Sequence, residues 1–246
     1  MKRVLLFLPI LALAITFVSG RPATGAPGYP DPPGHEAWNK LVGQHVYPNG
    51  TVNYNGFARD REVLDSYIST LEKNPPAGAW SREEKLAYYI NLYNAATIRL
   101  ILDHFPIESI MRIGNPWGQN ILNIGGVAYN LNNIEHDILR KMGEPRIHFA
   151  INCASTSCPV LQPFAFTADK MESQLDRAAR EFINDPGRNA IGGDKAELSK
   201  IFKWYKEDFT ESHGSLVAYL NQYLEEPLPE GAKIGYLAYD WSLNRP

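Results

Sequence analysis

Cysteine is nearly absent from this chain: there are two in 246 residues, and none before Cys153. No thiol near the N-terminus is available for lipid attachment, and a disulfide-dense scaffold is excluded. The Cys-x-x-Cys pair of thioredoxin-type oxidoreductases is missing too, because four residues separate Cys153 from Cys158. Long basic runs are lacking and the formal charge is −3. With nothing to neutralise a line of phosphates, nucleic acid and anionic membrane surfaces are not expected partners. Internal repeats and a second linker are also lacking, so a single domain is expected.

What is present begins with an apolar N-terminus. Lys2 and Arg3 precede a nearly unbroken apolar run from Val4 to Val18, and Val18-Ser19-Gly20 offers small residues for cleavage. This reads as an export signal over residues 1–20, because the run falls short of the roughly 20 apolar residues of a membrane span. A Pro/Gly-rich linker follows over 21–34, and the domain is expected over 35–246. The mature protein is expected to be secreted or periplasmic, with no transmembrane span. Removing Lys2 and Arg3 takes the charge from −3 to −5, an ordinary soluble surface.

Along the domain, Phe57 to Leu71 has helical spacing, after a turn at Asn49-Gly50 into a short strand ending at Tyr54. Ser81-Arg-Glu-Glu84 is a capping box, and it opens a helix too apolar for the surface. Asn91 and Asn94 share a face of that helix and need partners once buried. Residues 120–124 and 127–131 flank Gly125-Gly126 as a hairpin. Ile134 to Met142 reads as a helix closed by Gly143, and Ile147 to Asn152 as a strand ending at the first cysteine. Asp169 to Ile183, Ser199 to Phe209 and Ser215 to Leu224 read as helices, and Lys233 to Tyr239 as a last strand. The fold class is α+β: one mostly helical domain packed around a small, largely antiparallel sheet.

The chemistry centres on Arg146-Ile-His-Phe-Ala-Ile-Asn-Cys153-Ala-Ser-Thr-Ser-Cys158-Pro159. A strand end can hold a sulfur rigidly while the small-residue turn after it offers amides to an oxyanion, with Ala154, Ser155 and Ser157 in that role. Strand alternation puts His148 and Cys153 on opposite faces, so His136 is the better base. Glu135 lies next to it in sequence but faces another direction, which leaves Asn91, Asn94 or Asp240 to orient the imidazole. Either cysteine could be the nucleophile, or the two could form a disulfide. His136, His148, Cys153 and Cys158 are four potential zinc ligands, but their spacing fits no common zinc pattern, and neither metal nor cofactor is expected. His35, His45, His104 and His213 read as solvated or capping residues. Asp208 reads as a local cap or ion-pair partner, and Trp204-Tyr205 and Tyr239-Asp-Trp241 as packing aromatics.

Four segments taken together resemble the DUF547 family: Glu84-Lys-Leu-Ala-Tyr-Tyr-Ile-Asn-Leu-Tyr-Asn-Ala95, Asn133-Ile-Glu-His-Asp-Ile-Leu-Arg140, the cysteine segment above, and Tyr239-Asp-Trp-Ser-Leu-Asn244. The resemblance runs from about Trp80 to Asn244. It implies exported bacterial relatives and plant relatives fused to a coiled coil, the latter with serine where this chain has Cys158. It therefore favours Cys153 with His136 and Glu135 over an obligatory disulfide. The leading expectation is a thiol-dependent hydrolase or acyl transferase acting on an amide, peptide or thioester of unknown identity. Its rivals are a non-catalytic envelope binding module stapled by Cys153–Cys158, and a redox pair made of the same thiols.

Overall fold

A computed structural model describes residues 30–246. The export signal and most of the linker read from the sequence lie outside these residues. Three helices open the fold: α1 (Glu36–His45), α2 (Tyr54–Arg59) and α3 (Arg61–Lys73). The helix expected over 57–71 thus starts earlier and is broken at Asp60. Asn53 caps α2 by accepting the Gly56 amide at 2.9 Å. Asn49-Gly50 does turn the chain, with Gly50 at φ 80°, but the strand after it shrinks to one bridge between Val46 and Val52.

The centre of the molecule is α4 (Arg82–His104). Its capping box is complete, with the Glu84 amide on Ser81 Oγ at 3.1 Å and the Ser81 amide on the Glu84 carboxylate at 2.7 Å. Apolar residues cover nearly its whole circumference, so the helix must lie inside. It stops where Phe105 precedes Pro106, a position that disfavours helical backbone. Strands β1 (Leu122–Ile124) and β2 (Val127–Tyr129) form the expected hairpin, and both turn glycines have positive φ, as a tight two-residue turn requires.

Asn133–Leu139 winds as a π-helix, a wide turn often found at functional sites, and one 3₁₀ turn leads to Gly143 at φ 65°. The next segment departs from expectation. Ile147–Ala150 is a single helical turn, α5, and only Ile151 is extended after it. Ile147, His148, Phe149, Ala150 and Ile151 are all buried. A short run buried on every side carries no alternation to separate strand from helix, so the two-face argument for His148 and Cys153 does not apply.

The chain continues through α6 (Met171–Ile183), β3 (Ala190–Gly192), β4 (Lys195–Leu198), α7 (Ile201–Trp204), α8 (Lys206–Thr210), α9 (Leu216–Leu220) and β5 (Lys233–Tyr236). The helix expected over 199–209 is two short ones meeting at Tyr205. The β3–β4 hairpin, turning at Gly193, was not read from the sequence; β5 joins β4 in parallel. The fold is α+β and mostly helical, with one two-stranded and one three-stranded sheet.

Two apolar cores meet at α5. The larger gathers around α4 and receives Ile147, Ala150 and Ile151. The smaller is aromatic: Phe149 stacks on Phe182 at 5.1 Å and Phe209 at 5.6 Å between ring centres. The segment leading to Cys153 therefore runs along their seam. Asn94 fixes it there, donating to the Ala150 carbonyl at 2.9 Å and accepting the Asn152 amide at 2.8 Å. Asn91 grips Phe166 in the same way.

Truncating either asparagine strands two buried backbone groups, at about 1–3 kcal/mol each. Asn91→Ala and Asn94→Ala should each destabilise the fold by roughly 2–4 kcal/mol in urea unfolding. Only Asn94→Ala should also slow alkylation of Cys153 in the folded protein. Equal alkylation rates in the two variants would contradict the positioning role of Asn94.

Candidate active site

The turn after α5 is held from four directions. Asn152 accepts the Ala154 amide and donates to the Pro159 carbonyl, tying the two ends together. Ala154 is fully buried in the left-handed region at φ 59°, a strained conformation for a side chain with a Cβ. This reversal folds Ser155 back toward Cys153. The C-terminal segment crosses the loop through a bridge between Ser155 and Leu243, and Asn244 donates to Asn152. On the far side, Arg188 donates to the carbonyls of Cys158 and Thr156.

The result is a sulfur in a hydroxyl triangle. Cys153 Sγ lies 3.2 Å from Ser155 Oγ and 3.3 Å from the Tyr239 hydroxyl, and Ser155 Oγ donates to Tyr239 at 3.2 Å, which leaves the Tyr239 proton for the sulfur. The Cys153 amide donates to Cys158 Sγ at 2.8 Å, and the nearby Cys158 thiol and Ser155 amide favour the charged form of Cys153. Burial pushes the Cys153 thiol up, but these donors outweigh it and hold the group below the ordinary thiol value. Cys158 goes the other way: burial raises it well above that value, and the neighbouring Cys153 adds to the shift. Both cysteines are free thiols, and the pair is polarised into one thiolate-forming and one thiol-keeping member.

Cys153 is half-buried on the wall of a cavity of about 280 Å³ that Glu135, His136 and His148 also line. The structure therefore brings three of the expected site residues to one space. It does not join them as expected. No imidazole nitrogen among the described residues hydrogen-bonds to either sulfur. Neither Asn91, Asn94 nor Asp240 orients a histidine: the first two hold backbone, and Asp240 accepts the Ser242 amide. Glu135 instead accepts the hydroxyls of Tyr93 and Tyr205.

The histidine–carboxylate pair in the cavity is His148 with Asp208. His148 Nε2 donates to Asp208 Oδ2 at 2.7 Å, and its ring stacks on Tyr205 at 3.9 Å. Because the carboxylate can only accept, the neutral ring carries its proton on Nε2 and its lone pair on Nδ1. Burial works to raise Asp208, but the bidentate Arg140 guanidinium and His148 overcome it and hold the carboxyl well below the usual range. Arg140 also reaches His136 Nδ1 at 3.3 Å. A guanidinium can only donate, so His136 bears its hydrogen on Nε2. The two imidazoles thus have opposite assignments: His148 supplies a lone pair and His136 an N–H.

The expected row of oxyanion amides is largely occupied. Ala154 donates to Asn152, Thr156 to Ser242, Ser157 to Asp240 and Cys158 to Ser155. Of that set, the Ser155 amide is the one aimed at the sulfur. The four possible zinc ligands do not converge, since His148 is bound to Asp208 and His136 to Arg140. No group of three or more His, Cys, Asp or Glu suited to a metal occurs among the described residues.

Residues 77–183 match the model of DUF547, a protein family of unknown function. This stretch is similar to the DUF547 family. No curated protein and no solved structure matches it. The matched stretch carries α4, the π-wound turn with Glu135 and His136, α5, both cysteines and α6. Tyr205, Asp208 and Tyr239 lie beyond it, so the cavity is completed by side chains from outside the matched region.

Removing a donor from a thiolate makes it a stronger base. Tyr239→Phe and Ser155→Ala should each move the pH profile of Cys153 alkylation by iodoacetamide to higher pH, by up to about one unit. Peptide mapping should find Cys158 unmodified in the folded protein. Superimposable profiles for the parent and both variants would show that the donors do not set the reactivity.

Proposed function

We propose that the protein is a thiol-dependent hydrolase or acyl transferase that attacks the carbonyl of an amide, peptide or thioester with Cys153. The observation that carries this reading is the set of donors around one half-buried sulfur on a cavity wall. A thiolate is the nucleophilic form, and a lowered value raises its share at any given pH.

The chemistry follows from the donor assignments. Cys153 Sγ attacks the carbonyl carbon, forming a C–S bond and an oxyanion. The His136 Nε2–H, on the wall of the same cavity, is the donor left to receive that charge. His148 Nδ1 takes up the Cys153 thiol proton as the thiolate forms, and the tetrahedral species collapses by breaking the bond to the leaving group, which takes that proton from the imidazolium. Asp208 fixes the His148 ring in the tautomer this requires, with Arg140 holding Asp208 in turn. Water or another acceptor then attacks the thioester, giving its proton to His148 and releasing the thiolate. His148 thus takes the role the sequence had offered to His136, and Glu135 is left out of the proton path.

The export reading of residues 1–20 places this reaction outside the cytoplasm. A stapled binding module is the weaker alternative, because it gives the donors on Cys153 no task.

Incubation with a panel of activated thioesters and aryl esters should yield a covalent acyl adduct on Cys153, read by mass spectrometry. Cys153→Ser should form no thioester. His148→Ala and Asp208→Asn should slow acylation about 10²–10⁴-fold, the range for removing a general acid–base. Acylation at Cys158, or none with any donor at neutral pH, would overturn the proposal.

A further inference from the structure

Glu135 is 5% exposed, yet no lysine or arginine among the described residues forms an ion pair with it. Both hydroxyls it accepts come from neutral phenols, since burial pushes Tyr93 and Tyr205 upward. The nearby guanidinium of Arg140 is already committed as a two-pronged donor to Asp208. Arg140 and Asp208 pair with each other, so Glu135 has no cationic side chain of its own on the cavity wall. An isolated buried charge is unfavourable, and its field falls on whatever enters the space.

The mouth of the same cavity is aromatic. Trp204 is 46% exposed and lies nearly parallel to Trp241, with ring centres 5.8 Å apart. Trp117 meets Trp241 edge-on at 5.8 Å, and Tyr239 lies 4.5 Å from Trp241. Trp204 is the exposed member of the group, while Trp117 and Trp241 are half-buried beside it. Indole faces beside a carboxylate attract an organic cation, which gains cation–π and charge attraction together.

We propose that the cavity is selective for acyl substrates bearing an ammonium group, the cation lying between Glu135 and the tryptophan mouth. This rests on the thiol-acyl reading and names its substrate class. An anionic substrate would meet both Glu135 and the thiolate. A primary amine can also donate hydrogen bonds to the carboxylate, whereas a quaternary ammonium relies on the rings.

Methanethiosulfonate reagents test this directly. Each transfers its thio group to Cys153 as a mixed disulfide and loses methanesulfinate. Four forms would be compared: aminoethyl, trimethylammonioethyl, sulfonatoethyl and neutral methyl. Initial rates at Cys153, assigned by mass spectrometry, are divided by the methyl rate of the same variant, which cancels changes in thiolate fraction. The cation-to-anion ratio should exceed that of 2-mercaptoethanol by on the order of tenfold or more. Glu135→Gln should remove most of that excess, and Trp204→Ala should lower the advantage of the trimethylammonio reagent. A ratio equal to the free thiol's, or one unchanged in Glu135→Gln, overturns the proposal. A second measurement does not depend on the sulfur. In Cys153→Ser, tetramethylammonium should change the tryptophan fluorescence saturably, whereas neutral tert-butanol should not. That binding with no acyl adduct on the parent protein would reject the acyl chemistry alone, and its absence would reject the cation site.

Discussion

Negative charge on a sulfur walled by aromatic rings is unfavourable unless donors face it. In this protein two hydroxyls, an amide and a second thiol converge on Cys153. Those groups come from the left-handed turn at Ala154, from a cysteine five residues on, and from a tyrosine 86 positions later in the chain. Holding them in place is what much of the surrounding polar structure does. Asn94 sets where the chain leaves α5, Asn152 ties both ends of the turn, and Asn244 reaches back from the C-terminal segment to Asn152.

The cavity lies where two cores fail to merge. The buried turn α5 passes between them, sending Phe149 into the aromatic core while Ile147, Ala150 and Ile151 enter the larger one. His148 projects from the same turn, where stacking on Tyr205 and the bond to Asp208 fix its ring. Asp208 and Tyr205 come from the short helices α7 and α8 and their junction, elements of the second core. The His148–Asp208 pair thus joins α5 to the second core. Any change in how they pack should appear first as a change in the His148–Asp208 geometry.

Some of this was legible in the sequence. The capping box at Ser81, the paired glycines of the hairpin and the closing Gly143 are local signals, and each is found where its residues stand. Asn91 and Asn94 were recognisable as buried amides needing partners, although those partners proved to be backbone and not imidazole. Cys153, Glu135 and His136 meet at one cavity. The miss at His148 has a definite cause: a five-residue run buried on all sides fits a strand or a helical turn equally well, and the strand reading turned the histidine away from the cysteine. Tyr205, Asp208 and Tyr239 gave no local sign. Their roles come from contacts across 60 to 86 residues, which spacing does not encode. The Tyr239–Asn244 motif, read as packing aromatics, was the one available pointer.

The central claim is that hydrogen bonds, without a bound imidazole, lower Cys153 while Cys158 stays protonated. A pH titration of the ultraviolet thiolate absorbance tests it most directly, run on the parent protein with Cys153→Ser and Cys158→Ser for assignment. The account predicts one thiolate forming below the ordinary thiol value, lost in Cys153→Ser, with the second thiol silent until far higher pH. Two thiols titrating together at or above that ordinary value would contradict it.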